Sequence, residues 1–494
     1  MLAPLPSRSS LHGPGPAAAF AVDRAPAKGV VASIARHELR GLAASFRLRA
    51  VAVLLTALLV LPALTGPARY RSELAAQAEI AASYQAELET ATLDGLSELL
   101  HPALRPPWRL SWVVDGGQSV TPNVYEQAVS PLVAPQLARA QRGNHRLPGP
   151  ATLDWMFAIG GVLSIAAFLL GHDAICGERQ RGTLRLLLAQ PIARWKILAG
   201  KLAALWLCLA VPLVSGCGIS FALVALTGTV PVSGADLASA GAVLLLGLWA
   251  AAFFVLVTLA VSAASKLPST SLSVLALLWV GGVVGVPALG SLLAHRLAPV
   301  PGDAEVARRA AAVQQRIAER YGGREGRWRA PEWAAADGYA WERASARAEI
   351  ERRRSLERIE QEVLGAKLRQ ARLARSLSCF SPALLVPDLG ERLTGSGLAR
   401  DAAFLAQARA FRPAIEEHVR RLDAEDPQSP HVLFFRGYLS ARSVDPEAVP
   451  RFVFRELSTS ERLAGSAPRL AVLALETVLL VLLAWLLFAR LEPR

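Results

Sequence analysis

Residues 175–201 read ICGERQRGTLRLLLAQPIARWKILAGK and lie between two long apolar segments. A segment so placed joins two membrane spans, yet it is more basic and more patterned than a plain connector needs to be. Leu184, Leu187 and Leu188 keep the i, i+3, i+4 spacing that puts side chains on one face of a helix. Arg181 and Arg185 fall together on another face. Gly182 is expected to break the chain before this short helix and Thr183 to cap its first amides. Pro191 is expected to stop it and to suit the first turn of the next helix, which carries Ile192, Trp195 and Ile197 into the following span. Two short arginine-rich amphipathic helices against a membrane face make a docking surface. The same arginines also satisfy the rule that cytoplasmic loops are basic, and spacing alone does not separate the two readings.

The segment resembles the cytoplasmic coupling loop of ABC transporter permeases of the type-2 exporter class. Glu178, Arg179, Gly182, Thr183, Leu184, Leu187, Pro191, Arg194, Ile197, Leu198, Gly200 and Lys201 stand in the order and spacing of that loop. The resemblance implies contact with a separate ATP-hydrolysing subunit through Glu178, Arg179, Arg181, Gly182, Thr183, Arg185, Leu187, Pro191 and Arg194, with Glu178 and Arg179 foremost. It also implies that ATP and Mg²⁺ belong to that subunit, with no cofactor in this chain. A second permease chain, identical or related, would complete the pathway.

Composition agrees with a membrane protein. The 494 residues are 53% hydrophobic and 19% charged, and the apolar residues come in blocks long enough to cross a bilayer as helices. The net charge of +13 does not point to nucleic acid, because much of it lies beside the spans, where anionic lipid and the orientation rule account for it. The four cysteines, Cys176, Cys208, Cys217 and Cys379, show no metal-ligand spacing and read as small apolar fillers.

An all-α integral membrane protein follows, with six transmembrane helices and two largely helical extracytoplasmic regions. Residues 1–33, rich in Pro, Ala, Ser and Gly, read as a disordered cytoplasmic tail without a secretory leader. Residues 34–49 read as an interfacial amphipathic helix carrying Arg36, Arg40, Arg47 and Arg49. Glu38 and Arg40 match the Glu-Leu-Arg start common in the type-2 class. Spans are expected at 50–66, 153–171, 202–227, 237–263, 271–294 and 470–489, with the coupling loop at 172–201. The turn carrying Lys266 and both termini fall inside, in a bacterial inner membrane, while the loop from 228 to 236 has no Lys or Arg and falls outside.

The outer regions are residues 67–150 and 295–468. In the first, a helix to about Leu100 precedes an irregular part whose Trp108 and Trp112 are expected in a small core rather than at the headgroups. In the second, helices at 303–321 and 332–377 are expected to form a hairpin, with Arg352, Arg353 and Arg354 on a solvated face or bound to an acidic ligand. Some type-2 permeases carry a large insertion before the last span. Ser381, Pro382, Gly395, Gly397, Arg400, Asp401 and Phe404 resemble its pattern.

Within the spans, Gly281 and Gly285 form a small-xxx-small pair suited to helix packing. Glu476 stands among Leu and Val, where a charge is costly, and reads as a pathway residue or as a neutral acid bonded to a neighbouring span. There is no G-x-x-x-x-G-K-[ST] phosphate loop, no H-E-x-x-H metal site and no G-x-S-x-G nucleophile turn, so no catalytic or metal-ligating residue is assigned. The expected function is a permease subunit of an ATP-driven exporter, with membrane lipid and the ATPase as partners. The rival is a non-transporting scaffold or receptor working through its outer helices, and an adjacent ATPase reading frame would discriminate against it.

Overall fold

The computed structural model describes residues 27–140, 153–321, 339–432, 437–439 and 441–491. Helix α1 (Ala27–Ala43) includes residues 27–33, expected in the tail; the rest of that tail lies outside the described residues. After a break capped by Ser45, α2 runs unbroken from Phe46 to Glu89. The first span is expected to end at 66, and Pro62 and Pro67 near that end each remove a backbone donor. The helix instead continues through both. Leu55, Leu59 and Ala63 are buried in the main core along this stretch, and packing outweighs the local cost. Its far end leaves the apolar belt and enters the outer region with α3 (Leu93–Glu98).

The part of that region expected to be irregular contains a three-stranded antiparallel sheet. Strand β1 (His101–Leu104) pairs with β2 (Val124–Gln127), and β2 pairs with β3 (Gln136–Ala138). Trp112 is buried, but in the main core shared with the spans rather than in a small core of its own, and meets Trp155 edge-on at 5.2 Å between ring centroids. Such aromatic pairs add about 0.5–1.5 kcal/mol beyond burial.

The second span, Trp155–Arg181, is composite. It joins α4 (Trp155–Phe157), a π-helical turn (Ala158–Val162), α5 (Leu163–Gly171) and α6 (Cys176–Arg181). Then come α7 (Thr183–Leu188), α8 (Arg194–Thr227) and α9 (Gly234–Ala264). The fifth span consists of α10 (Pro268–Val280), a second π turn (Gly281–Gly285) and α11 (Val286–Leu297). Among the described residues, six stretches are long and apolar enough to cross a membrane: α2, Trp155–Arg181, α8, α9, Pro268–Leu297 and Thr459–Ala489.

The second outer region holds α12 (Asp303–Tyr321), α13 (Ala340–Leu377), α14 (Pro382–Thr394) and α15 (Gly397–Ala424) before α16 (Thr459–Ala489). The expected hairpin is present: Val313 and Ile317 of α12 pack on Ala348 of α13. The first residues expected in its second helix lie outside the described residues. Helix α14 dips into the end of the bundle, where Leu385, Val386 and Leu389 join the core of the spans.

The two regions expected outside form one packed unit. Leu88, Leu93 and Leu96 from the first share a core with Ile415 and Val419 of α15. Each such side chain buried from water contributes about 1.5–3 kcal/mol. Arg400 is the joint's polar centre. It is 1% exposed, donates to Glu456 Oε2 at 2.9 Å and Gln118 Oε1 at 2.7 Å, and lies over the Trp108 ring. Its neighbour Asp401 pairs with buried Arg105. The motif residues Arg400 and Asp401 therefore hold the two outer regions together.

Candidate functional site

In segment 175–201, Gly182 sits at φ +77°, a backbone region that side chains resist, and turns the chain between α6 and α7. Thr183 does not cap α7. It is that helix's first residue, and its hydroxyl donates to the Glu178 carbonyl at 3.3 Å. Pro191 lies in the turn beyond α7 rather than in the first turn of α8, which starts at Arg194. Leu184 is buried, and Leu187 and Leu188 pack partly against the core, so the leucine face is the inner one.

The opposite face is open. Arg181, Thr183, Arg185 and Pro191 are exposed. Leu186 is 71% exposed and Trp195 54%, two large apolar side chains open to the surroundings in the same segment. The sequence reading placed Trp195 on the second helix without an outward role and passed over Leu186, the leucine that breaks the i, i+3, i+4 pattern.

The inner side is tied to the spans by polar contacts. Lys201 Nζ, on α8 and 1% exposed, donates to Glu178 Oε1 on α6 and to Glu38 Oε1 on α1, both at 2.6 Å. A buried ammonium without such partners would cost several kcal/mol. Gly200 permits the approach of α1, since a Cβ there would lie 2.6 Å from Ile34 Cγ2. Arg179 Nη1 donates to the Ser265 carbonyl at 2.9 Å, in the turn between α9 and α10. Ser262 Oγ of α9 accepts the amides of Ile175 and Cys176 at 3.0 and 3.2 Å. Arg194 donates to the Ala489 carbonyl at the end of α16.

Glu178, Arg179 and Arg194 therefore face the chain's own spans, and Arg181, Thr183, Arg185 and Pro191 face outward. The roles of Glu38, Lys201, Ser262 and Ser265 were missed. One signal was available: a lysine opening an apolar span requires an acid, and Glu38 and Glu178 flank that end of the bundle.

The residues singled out inside the spans are dispersed. Gly281 and Gly285 both lie in the π turn of the fifth span, and among the described residues no other element comes within 4 Å of where their Cβ atoms would be. Their expected packing is not with this chain's other helices. Gly282 between them is the point of contact, its carbonyl accepting the Ser381 hydroxyl at 2.8 Å. Glu476 is half-buried on α16, and its Oε2 is buried without a hydrogen-bond partner. Among the described residues, no group of three or more His, Cys, Asp or Glu is placed to hold a metal ion. The arrangement suits mechanical transmission: an open basic and apolar face on one side, and on the other polar links to α1, α8, the α9–α10 turn and α16.

Residues 32–382 match the family described as ABC-2 family transporter protein, a stretch running from α1 to the start of α14. The chain is also similar to the probable ABC transporter permease protein NosY of Stutzerimonas stutzeri, with 40% identity over 78 residues. That similarity covers 16% of this chain and 28% of the relative.

Proposed function

Because this chain belongs to the ABC-2 family of transporter proteins and is an ABC transporter permease, we propose that it is the membrane subunit of an ATP-driven exporter. A separate ATPase subunit, carrying the ATP and Mg²⁺, docks on the exposed face of segment 175–201. A second permease chain completes the pathway. The segment then lies on the cytoplasmic side of a bacterial inner membrane, with both termini, and the sheet and helices α12–α15 lie outside.

One observation carries this reading. Arg181, Arg185, Leu186 and Trp195 present an unburied face, and the residues behind them are bonded to four other parts of the bundle. In the mechanism, closure of the ATPase subunits pushes on α6 and α7. Lys201 passes the push to α8 and α1, Arg179 to the α9–α10 turn, and Arg194 to α16. The spans tilt together and open the path outward. Only a difference in contact free energy between the closed and open ATPase states can drive such a shift.

The test is ATP turnover of the permease–ATPase complex reconstituted in lipid. Arg181→Glu with Arg185→Glu should abolish stimulation of the ATPase by the permease while leaving the permease's own melting temperature unchanged. Full stimulation in that variant would refute docking at this face.

A further inference from the structure

Residues 370–391 turn back into the bundle as a helical hairpin. Gln370 donates to the Ala298 carbonyl at 2.9 Å, Ser378 lies against Gly290, and the Ser381 hydroxyl donates to the Gly282 carbonyl at 2.8 Å. The end of α13 therefore descends beside α11 to the middle of the fifth span, Pro268–Leu297. Helix α14 climbs back. Its Pro387 lies against Gly160 and its Gly390 against Met156, closer to the start of the second span.

A cavity of about 270 Å³ lies between this hairpin and α11. Pro287, Ala374, Leu384 and Leu385 give it apolar lining, and Ser291, Arg375, Asp388 and Glu391 give it polar lining. The two kinds are layered along the helices. Asp388 and Glu391 stand above Leu384 and Leu385 on the climbing α14, and Ser291 stands above Pro287 on α11. At the helical rise, Pro287 and Ser291 lie about 8 and 14 Å beyond Gly282 along the span. The hydrocarbon of one leaflet is about 15 Å thick. The apolar lining thus sits within the hydrocarbon and the polar lining at its edge. Ser291 is exposed, so the cavity opens on the side where lipid meets the fifth span.

Sites that enclose a whole small molecule hold about 300–1,000 Å³. This smaller cavity suits one part of a larger amphiphile, the rest of which stays in the bilayer. Its rim carries both signs of charge. Arg375 Nη1 stands 2.6 Å from Glu391 Oε2 and 3.5 Å from Asp388 Oδ1. The three side chains keep 37, 18 and 12% exposure, so a headgroup can reach either sign. An anionic headgroup would meet two carboxylates, whereas a zwitterion offers each sign its opposite. We propose that the cavity seats a phospholipid whose headgroup carries both a phosphate and a primary ammonium group, in the leaflet on the side of α12–α15. The phosphate accepts from Arg375, the ammonium donates to Asp388 or Glu391, and an acyl chain lies over Pro287, Ala374 and Leu384. The lipid is a resident of the fold rather than cargo, and the proposal does not depend on how segment 175–201 is driven.

The experiment uses the full chain in nanodiscs of equal parts phosphatidylethanolamine, phosphatidylcholine and phosphatidylglycerol, and native mass spectrometry identifies the lipid that stays bound on release. Phosphatidylethanolamine should be retained over each of the others by about ten-fold, because a trimethylammonium group donates no hydrogen bond and phosphatidylglycerol brings no cation. Ser291→Phe, at an exposed position on the cavity, should remove that preference. Leu482→Phe, on the exposed face of α16, should keep it. Cys379 lines the same cavity and is 8% exposed. Its alkylation by N-ethylmaleimide in the wild type, located by peptide mass, should be slower in phosphatidylethanolamine than in phosphatidylcholine. Glycerophosphoethanolamine, the same headgroup without chains, should not displace the lipid. The proposal fails if the three lipids are retained alike, if Ser291→Phe keeps the preference, if Leu482→Phe loses it, or if Cys379 reacts equally in both lipids. Displacement by glycerophosphoethanolamine would identify a soluble ligand and overturn the lipid assignment.

Discussion

Lys201 Nζ lies 2.6 Å from Glu178 Oε1, and the two residues sit on different helices, α8 and α6. Glu38 of α1 holds the same ammonium at the same distance. Three elements that would otherwise slide past one another at the membrane face share one charged contact. A short rigid link of this kind passes displacement on where a lipid-filled gap would absorb it.

Removing the ammonium leaves two carboxylates facing each other. Lys201→Met should therefore lower unfolding stability by about 3 kcal/mol, the low end for a broken buried pair because both acids keep some solvent contact. Adding Glu38→Gln and Glu178→Gln should recover most of that loss, since neutral replacement of a whole buried group is often tolerated. The triple variant should still fail to stimulate the ATPase partner. Thermal melts of the purified variants, read beside ATP turnover, separate stability from transmission.

Arg400 should matter to the outer domain alone. Its guanidinium joins Glu456, Gln118 and the Trp108 ring, and Lys cannot reproduce the fork. Arg400→Lys should cost about 2 kcal/mol, less than a fully buried pair because Glu456 is partly exposed. Hydrogen exchange should rise in α15 and at residues 113–118, and stay unchanged in α6 and α7.

The outer domain should also weaken in acid. Burial pushes the His101 imidazole down to about 4, with the His418 ring adding to the effect. Its partners fit the neutral ring, Nδ1 facing the Tyr84 hydroxyl at 2.6 Å and Nε2 the Leu96 carbonyl at 3.3 Å. The unfolded chain takes up a proton near pH 6.5 and the folded chain does not until about pH 4. This contribution is complete above pH 6.5 and lost as pH falls through that window, by up to about 3 kcal/mol. His101→Asn cannot titrate, so the gap between its melting temperature and the wild type's should change between pH 7.5 and 4.5 in the direction that favours the variant in acid.

The six spans were legible because apolar blocks are a strong signal in a chain of this class. The sheet was not. Strands of three or four residues, such as Gln136–Ala138, are too short for alternation to register. The continuation of α2 past residue 66 was not legible, because the packing of Leu55, Leu59 and Ala63 overrides the local cost of Pro62 and Pro67. In segment 175–201 the facing of the chosen residues was not readable. Glu178 turns inward because Lys201 and Glu38 converge on it, and that convergence involves residues 23 and 163 apart from their partners along the chain. Arg400 and Asp401 were noted as a pattern, but their partners Gln118 and Arg105 lie some 280 to 300 residues away.

The most direct measurement places a photo-crosslinking residue at Leu186, the most exposed large apolar side chain of segment 175–201, in the full chain in its native membrane. The account predicts one dominant adduct, with an ATPase subunit carrying a phosphate-binding loop, and a yield that changes when ATP is replaced by a non-hydrolysable analogue. Leu186 adducts to lipid alone, or labelling of that position by an impermeant reagent added outside the cell, would contradict it.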